Sequence, residues 1–230
     1  MNKTDRSFQP SAGTKTASIT QRVYDDLRAQ IVSGEIAPGS RLKVESLKQT
    51  LNSGASPIRE ALSLLTSDQL VERLDQRGFR VSEVSGTQFR EILKLRCALE
   101  EMALRESLAS ADADWDEALV LAHHRMNRTP RDQIAEFEAR HKAFHMALLS
   151  ACKSPILLKF CDQLYDLNIR YRYLAGRLQG YGSRDVTTEH ADILAGALDR
   201  DVDMTVISLL QHYHRTGQFL VERFEDKAAS

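Results

Sequence analysis

Four histidines fall where a helix would turn an imidazole inward. His141 and His145, in "RHKAFH", are four residues apart and therefore stack about one turn from each other on one face. That face continues through Leu148 and Cys152, so it points toward apolar surroundings. His190, in "TTEHADIL", precedes Ile193 by three and Leu194 by four, and His212 follows Leu209 by three. His214, about 200° further round the same helix, faces elsewhere, and His123 and His124 lack an apolar companion stripe and read as exposed. Helices that each present an inward imidazole to one place are how a bundle builds a metal site. An all-nitrogen set at His141, His145, His190 and His212 selects a divalent transition metal, zinc first and nickel next, over oxygen-preferring magnesium or manganese. Such an ion with an open position would attract a ligand carboxylate.

A carboxylate effector would want a second positive anchor. Arg96, in "LRCALEEMAL", lies among Ile92, Leu99 and Ala103, an awkward place for a guanidinium without a partner; a salt bridge to Glu100 and a ligand role both fit. In "DLNIRYRYLAGR" one of Arg170 and Arg172 must turn inward, and the spacing from Tyr165 and Asn168 selects Arg172. Arg96, Asn168 and Arg172 are therefore the candidate effector contacts. The alternative is a metal-dependent hydrolase or oxidase built in the bundle. Against it, no obvious general base lies one helical turn from the histidines: Glu138 is three before His141, and Glu189 adjoins His190 on a different face. A third reading is a helical adaptor whose histidines are satisfied core groups.

The elements that would carry these residues begin with "ITQRVYDDLRAQIV", a helix ended by Gly34 and the Pro38-Gly39 turn. A short helix follows near 45–51, stopped by "NSG", and Ser56-Pro57 opens a third in the manner of an N-cap followed by proline. Then "LVERL" and "FRVSEV" are strand-like runs joined by "DQRG", where Gly78 can supply a positive φ. This order predicts a winged helix-turn-helix. From Thr87 onward the segments 87–109, 113–128, 131–152, 154–179, 186–199 and 202–224 each show helical spacing. The fold class is mainly α: a winged helix-turn-helix over 18–84, a hinge near Val84 to Thr87, and an all-α bundle of six or more helices over 87–224, which would hold the metal and effector and dimerise.

A winged helix lays its third helix in the major groove and reaches phosphates or a minor groove with its wing. The candidate contacts to double-stranded DNA are Ser56 and Arg59 in the helix and Gln76, Arg77, Gly78 and Arg80 in the wing. Residues 1–84 carry 12 Lys and Arg against 10 Asp and Glu, and the remainder 19 against 22, which permits a DNA-binding first half. The net charge of −1 argues against a protein that coats nucleic acid indiscriminately.

The stretch "RLKVESLKQTLNSGASPIREALSLLTSDQLVERLDQRGFRV" resembles the N-terminal domain of the GntR family of bacterial transcription regulators, with Pro57, Ile58, Arg59, Glu60, Ala61 and Leu62 matching its recognition segment. Ala55 stands where the family usually has an arginine, so Arg59 and the wing carry more of the readout. The later helices resemble the FadR-type branch with FCD ligand-binding domains. There the metal pattern is Asp, His four later, and one His on each of the last two helices. His145, His190 and His212 match, and His141 replaces the aspartate. The change leaves two positive charges on the centre instead of one. "RHKAFHMALLSAC" and "LYDLNIRYRYL" also resemble the branch containing a carbon-starvation-induced repressor of glutarate and 4-aminobutyrate breakdown, which implies a small dicarboxylate such as glutarate. The resemblance further implies a homodimeric, effector-responsive regulator, a repressor, on a two-half-site operator.

The remaining bounds are brief. Hydrophobic residues at 42% and charged residues at 27% are those of an ordinary globular protein. No apolar run approaches the ~20 residues a spanning helix needs, so no membrane is expected. Residues 1–17 read as a polar, disordered arm without a secretory h-region, and Cys97, Cys152 and Cys161, with no paired spacing, as reduced and buried thiols; both point to the cytoplasm.

Overall fold

Apolar spacing of three and four along most of the chain dictates helices. The computed structural model describes residues 18–75, 77–176 and 186–225, and among these it contains nine helices and one small sheet. The arm at 1–17 lies outside the described residues.

Helix α1 (Ile19–Val32) starts where the Ser18 hydroxyl accepts from the Gln21 N–H, and it buries Val23, Leu27 and Ile31. Then come β1 (Arg41–Leu42), α2 (Val44–Thr50), α3 (Ala55–Ser67), β2 (Val71–Leu74) and β3 (Gly78–Val81). β3 is central and pairs antiparallel with both neighbours, Glu72 and Arg41 flanking Arg80 from either side. Gly78, at φ 91°, takes the left-handed conformation the tight wing turn requires. The strand β1 is not anticipated from sequence, since two residues are too few for alternation to register.

Helix α3 also differs from expectation. It begins at Ala55 with Gly54 as cap, so Ser56 and Pro57 lie inside the first turn. Proline is tolerated there because the first N–H groups of a helix have no intrahelical acceptor. Ile58, Ala61, Leu62 and Leu65 fasten the helix to α1 and the sheet.

The second half comprises α4 (Gly86–Ser110), α5 (Ala113–Arg128), α6 (Ile134–Leu149), α7 (Pro155–Gly176), α8 (Val186–Leu198) and α9 (Val202–Glu225). α6 is shorter than the 131–152 segment expected. A turn closed by the Gln133 N–H on the Pro130 carbonyl precedes it, and the chain turns again at Ser150. The residues expected to end α7 at 177–179 lie outside the described ones. Phe144, Leu148, Cys161, Ile193 and Leu209 are fully buried between these helices. The three cysteines are free; Cys152 and Cys161 are buried, whereas Cys97 is only half-buried. No helix among the described residues is long and apolar enough to cross a membrane.

The two halves meet along α7. The Tyr171 hydroxyl accepts from the Ser85 N–H at 3.3 Å and donates to Gln88 Oε1 at 2.9 Å, and Arg170 donates to the Ser82 carbonyl at 2.5 Å. The expected hinge near 84–87 is therefore tied to a bundle helix. Asp166 adds an ionic link, pairing with Arg28 of α1 and, at 2.7 Å, with Lys142 of α6. Replacing Asp166 with Ala takes from Arg28 its carboxylate partner, while Lys142 keeps Asp162 at 2.6 Å. The expected cost is about 2 kcal/mol, read as a lower midpoint in thermal unfolding, because a largely buried charge loses its counter-ion.

Candidate metal centre and nucleic-acid interface

Three helices bring the four histidines together. α6 supplies His141 and His145, α8 His190 and α9 His212, all buried, with one ring nitrogen from each within 4.8 Å of the others. The Nε2 of His141 lies 3.1 Å from the Nε2 atoms of both His190 and His145. Two nitrogens each ~2.0–2.1 Å from one zinc ion at a tetrahedral angle stand about 3.3 Å apart, so the spacing fits donors gathered round a single ion. Burial holds His141 and His145 well below the ordinary histidine pKa, reinforced by Arg172 for the first and by His212 for the second. Burial and His212 push His190 down to about 2. These rings therefore stay neutral, the form in which imidazole binds a metal.

Around the rings is a set of polar partners, among which Tyr213 is the one the sequence pattern did not single out. His212 Nδ1 donates to Glu189 Oε2 at 2.8 Å. His145 Nδ1 lies 2.9 Å from the Tyr213 hydroxyl, which itself donates to Glu100. His141 Nδ1 lies 2.5 Å from the Tyr165 hydroxyl and 2.9 Å from Arg172 Nη1. Glu138 Oε1 accepts from Arg172 Nη2 at 2.8 Å, and its Oε2 is 3.8 Å from His141 Nδ1. Carboxylates thus do stand beside the cluster, contrary to the expectation from spacing. Glu189, though next to His190 in the chain, serves His212 on the neighbouring helix, a pairing no local periodicity reveals. Tyr165 was legible only as part of the stripe with Asn168 and Arg172.

Of the effector candidates, Arg96 is buried with Glu100 at 2.6 Å and Asn168 at 3.0 Å. Its guanidinium is sandwiched between the rings of Tyr165 and Tyr213, at 4.6 and 4.0 Å, and its Nη2 finds no acceptor. Both readings of Arg96 remain compatible with this geometry: it has its salt bridge, and it keeps one buried donor to offer. Arg170 and Arg172 are both buried, but only Arg172 reaches the histidines. His123 is half-buried against the Phe144 ring rather than exposed, while His124 and His214 are exposed.

At the other end of the molecule Ser56 and Arg59 project from the first half of α3, both exposed. Arg77 and Gly78 are exposed at the wing, and Gln76 lies outside the described residues. Arg80 is half-buried and bound to Glu72 across the ribbon at 2.7 Å. Arg41, exposed and opposite Arg80 on the edge strand, is a basic group in the same place that the sequence reading passed over.

A three-helix unit with a β-ribbon wing, joined to a helical bundle with a buried polar centre, is the architecture of a ligand-responsive DNA-binding protein. The family description "Bacterial regulatory proteins, gntR family" matches residues 19–81, and the FCD domain matches residues 91–215. The chain belongs to the GntR family of transcription regulators and carries an FCD effector-binding domain. It is 37% identical over 218 residues to the uncharacterized HTH-type transcriptional regulator BphR of Paraburkholderia xenovorans strain LB400, covering 90% of this chain and 89% of that protein. It is 28% identical to the HTH-type transcriptional repressor GlaR of Escherichia coli K12, covering 82% and 90%. The fold matches E. coli McbR/YncC with a TM-score of 0.80 at 22% identity, over 91% of this chain and 100% of that one. These relatives are named regulators, so the enzyme alternative is set aside.

Proposed function

We propose that the protein is a homodimeric repressor in which a divalent metal, zinc in the first instance and nickel in the second, sits at the four-histidine cluster and recruits a small carboxylate effector. A dicarboxylate such as glutarate suits a site with a cation at its centre and buried guanidinium groups at Arg96 and Arg172. The observation that carries this reading is the convergence of four buried imidazoles on one place, with the Arg172 guanidinium against His141. The metal supplies Lewis-acid attraction for a carboxylate oxygen. The protein holds the rings in place through Glu189, Tyr213, Tyr165 and Arg172. The division into an arm at 1–17, a DNA-binding unit at 18–84 and an effector unit at 87–224 belongs to the same reading. A regulator of this kind works in the cytoplasm, where its operator is.

Support also comes from the seam. α7 carries Tyr165, Asn168 and Arg172 on the cluster side, and Asp166, Arg170 and Tyr171 on the side facing the DNA-binding unit. An effector that repositions α7 changes how the two winged helices of a dimer meet their half-sites. A gel shift on the protein's own upstream DNA, with and without glutarate and related dicarboxylates, tests this. Salt-sensitive specific binding that changes with ligand is the expected result, and ligand-independent binding or none overturns it. Elemental analysis of unchelated protein tests the metal. His141→Asp should retain the metal and weaken glutarate binding about tenfold, measured as a smaller ligand-induced melting shift, because an added carboxylate lowers the charge that attracts the anion.

A further inference from the structure

Away from the histidine cluster, the bundle carries a concave surface whose charge runs against that of its surroundings. Along α5, Leu121, His124, Arg125 and Arg128 recur at spacings of three and four and so share one face. On α6, Glu136 and Arg140 stand one turn apart. These two stripes, with the Thr129-Pro130 turn between the helices, line a single cleft of about 660 Å³. Small-molecule sites usually measure ~300–1,000 Å³, so the space suits one compact ligand. Leu121 and Pro130, both exposed, give it apolar surface beside the charges.

From residue 85 onward the chain holds 22 Asp and Glu against 19 Lys and Arg, yet the cleft gathers three guanidiniums against one carboxylate. Basic side chains in the last turn of a helix commonly bond its free carbonyls. Here Thr129 does the capping: its hydroxyl donates to the Arg125 carbonyl at 2.8 Å and its N–H to the Met126 carbonyl at 3.2 Å. Arg125 and Arg128 are exposed and make no hydrogen bond or ion pair through their side chains among the described residues. Arg140 reaches Glu136 alone among these, at 3.5 Å. The dipole of α5 favours cations at its own end, but it does not call for a third guanidinium facing them from α6.

We infer that the α5–α6 cleft is a second anion site, shaped for an organic phosphate monoester. Guanidinium forks pair bidentately with phosphate oxygens, and the cleft presents three of them with no lysine. Against Glu136 they leave two uncompensated positive charges, which match the roughly −1.5 to −2 of a phosphate monoester at neutral pH. His124 adds a ring nitrogen, and Leu121 and Pro130 cover the organic part. The site is separate from the histidine cluster. Glu136 and Arg140 lie roughly 150° round α6 from Glu138, His141 and His145, which are buried on its inner side. A bound phosphate ester therefore bears, from the outer side, on the helix that supplies two of the four imidazoles.

The test titrates phenyl phosphate into full-length protein by calorimetry at constant ionic strength. Wild type should bind one molecule per chain saturably. Arg125→Ala, Arg128→Ala and Arg140→Ala should each weaken it about fivefold or more, as expected on losing a charge-assisted hydrogen bond in a partly screened site. Glu136→Gln should tighten binding about threefold by removing the like charge, a gain that no folding defect produces. Lys94→Ala, exposed on α4, should change nothing. Inorganic phosphate should compete but bind more weakly, because it leaves Leu121 and Pro130 uncovered. In wild-type nitrogen-15 spectra the His124 ring should shift on titration and the His190 ring should not. Affinity for duplex DNA should be the same in Arg128→Ala as in wild type. No saturable binding, an equal loss in Lys94→Ala, or shifts at His190 in place of His124 overturns the inference. So does a parallel loss of DNA affinity in Arg128→Ala, which would make the cleft a contact to the DNA backbone.

Discussion

His145→Ala is expected to purify without stoichiometric metal, the largest single effect available in the bundle. His145 is fully buried, its Nε2 faces the other rings, and its Nδ1 is held by Tyr213, so the ring has no freedom to be replaced by a neighbour. Water cannot substitute without entering a site packed by Phe144 and Tyr213. Loss of an inner ligand should weaken the metal by more than about 100-fold, beyond the 10–100-fold typical of removing a group that only orients a ligand. Glu189→Gln supplies the comparison. It removes the carboxylate behind His212 while keeping an acceptor oxygen, and should fall within that smaller range. Chelator competition with circular dichroism as a folding control measures both. Equal metal affinity in His145→Ala and wild type would mean that the cluster is a packed polar core.

The parts of this arrangement legible in the sequence are those written in local periodicity. His141 and His145 declare their shared face by a spacing of four, and α5 runs over the very segment, 113–128, that its apolar pattern marks. What stayed hidden depends on neighbours distant in the chain. Glu189 looks misdirected beside His190 because its partner is 23 residues away on α9. Tyr213 directly follows His212, which places it about 100° round the helix from its neighbour, yet its hydroxyl reaches His145 on α6. The two-residue strand β1 exists because β3 offers it an edge, not because Arg41 and Leu42 favour a strand. The early start of α3 has a similar origin, since Gly54 rather than Ser56 turns the chain into the helix.

Arg59→Ala is expected to weaken sequence-specific operator binding strongly at moderate salt while leaving the fold intact. Its neighbour Ile58 is fully buried, and with Ala61, Leu62 and Leu65 it fixes the roll of α3, so the direction of Arg59 is set by the core. The Arg59 side chain is exposed and engages no side-chain partner among the described residues, which leaves its donors available for a base edge. A bidentate arginine contact is worth about 1–3 kcal/mol of discrimination, or roughly fivefold to more than a hundredfold in affinity for the correct site. Arg77→Ala should act differently, weakening specific and nonspecific binding alike and reducing the salt slope by about one, as for a phosphate contact. Arg80→Ala should do least. Its guanidinium is already bound to Glu72, and releasing it for DNA would first cost that ion pair. Fluorescence anisotropy on operator and scrambled DNA across a salt series separates the three outcomes. If Arg80→Ala proves more damaging than Arg59→Ala, the wing and not α3 reads the operator, and Arg41 beside Arg80 becomes the next residue to replace.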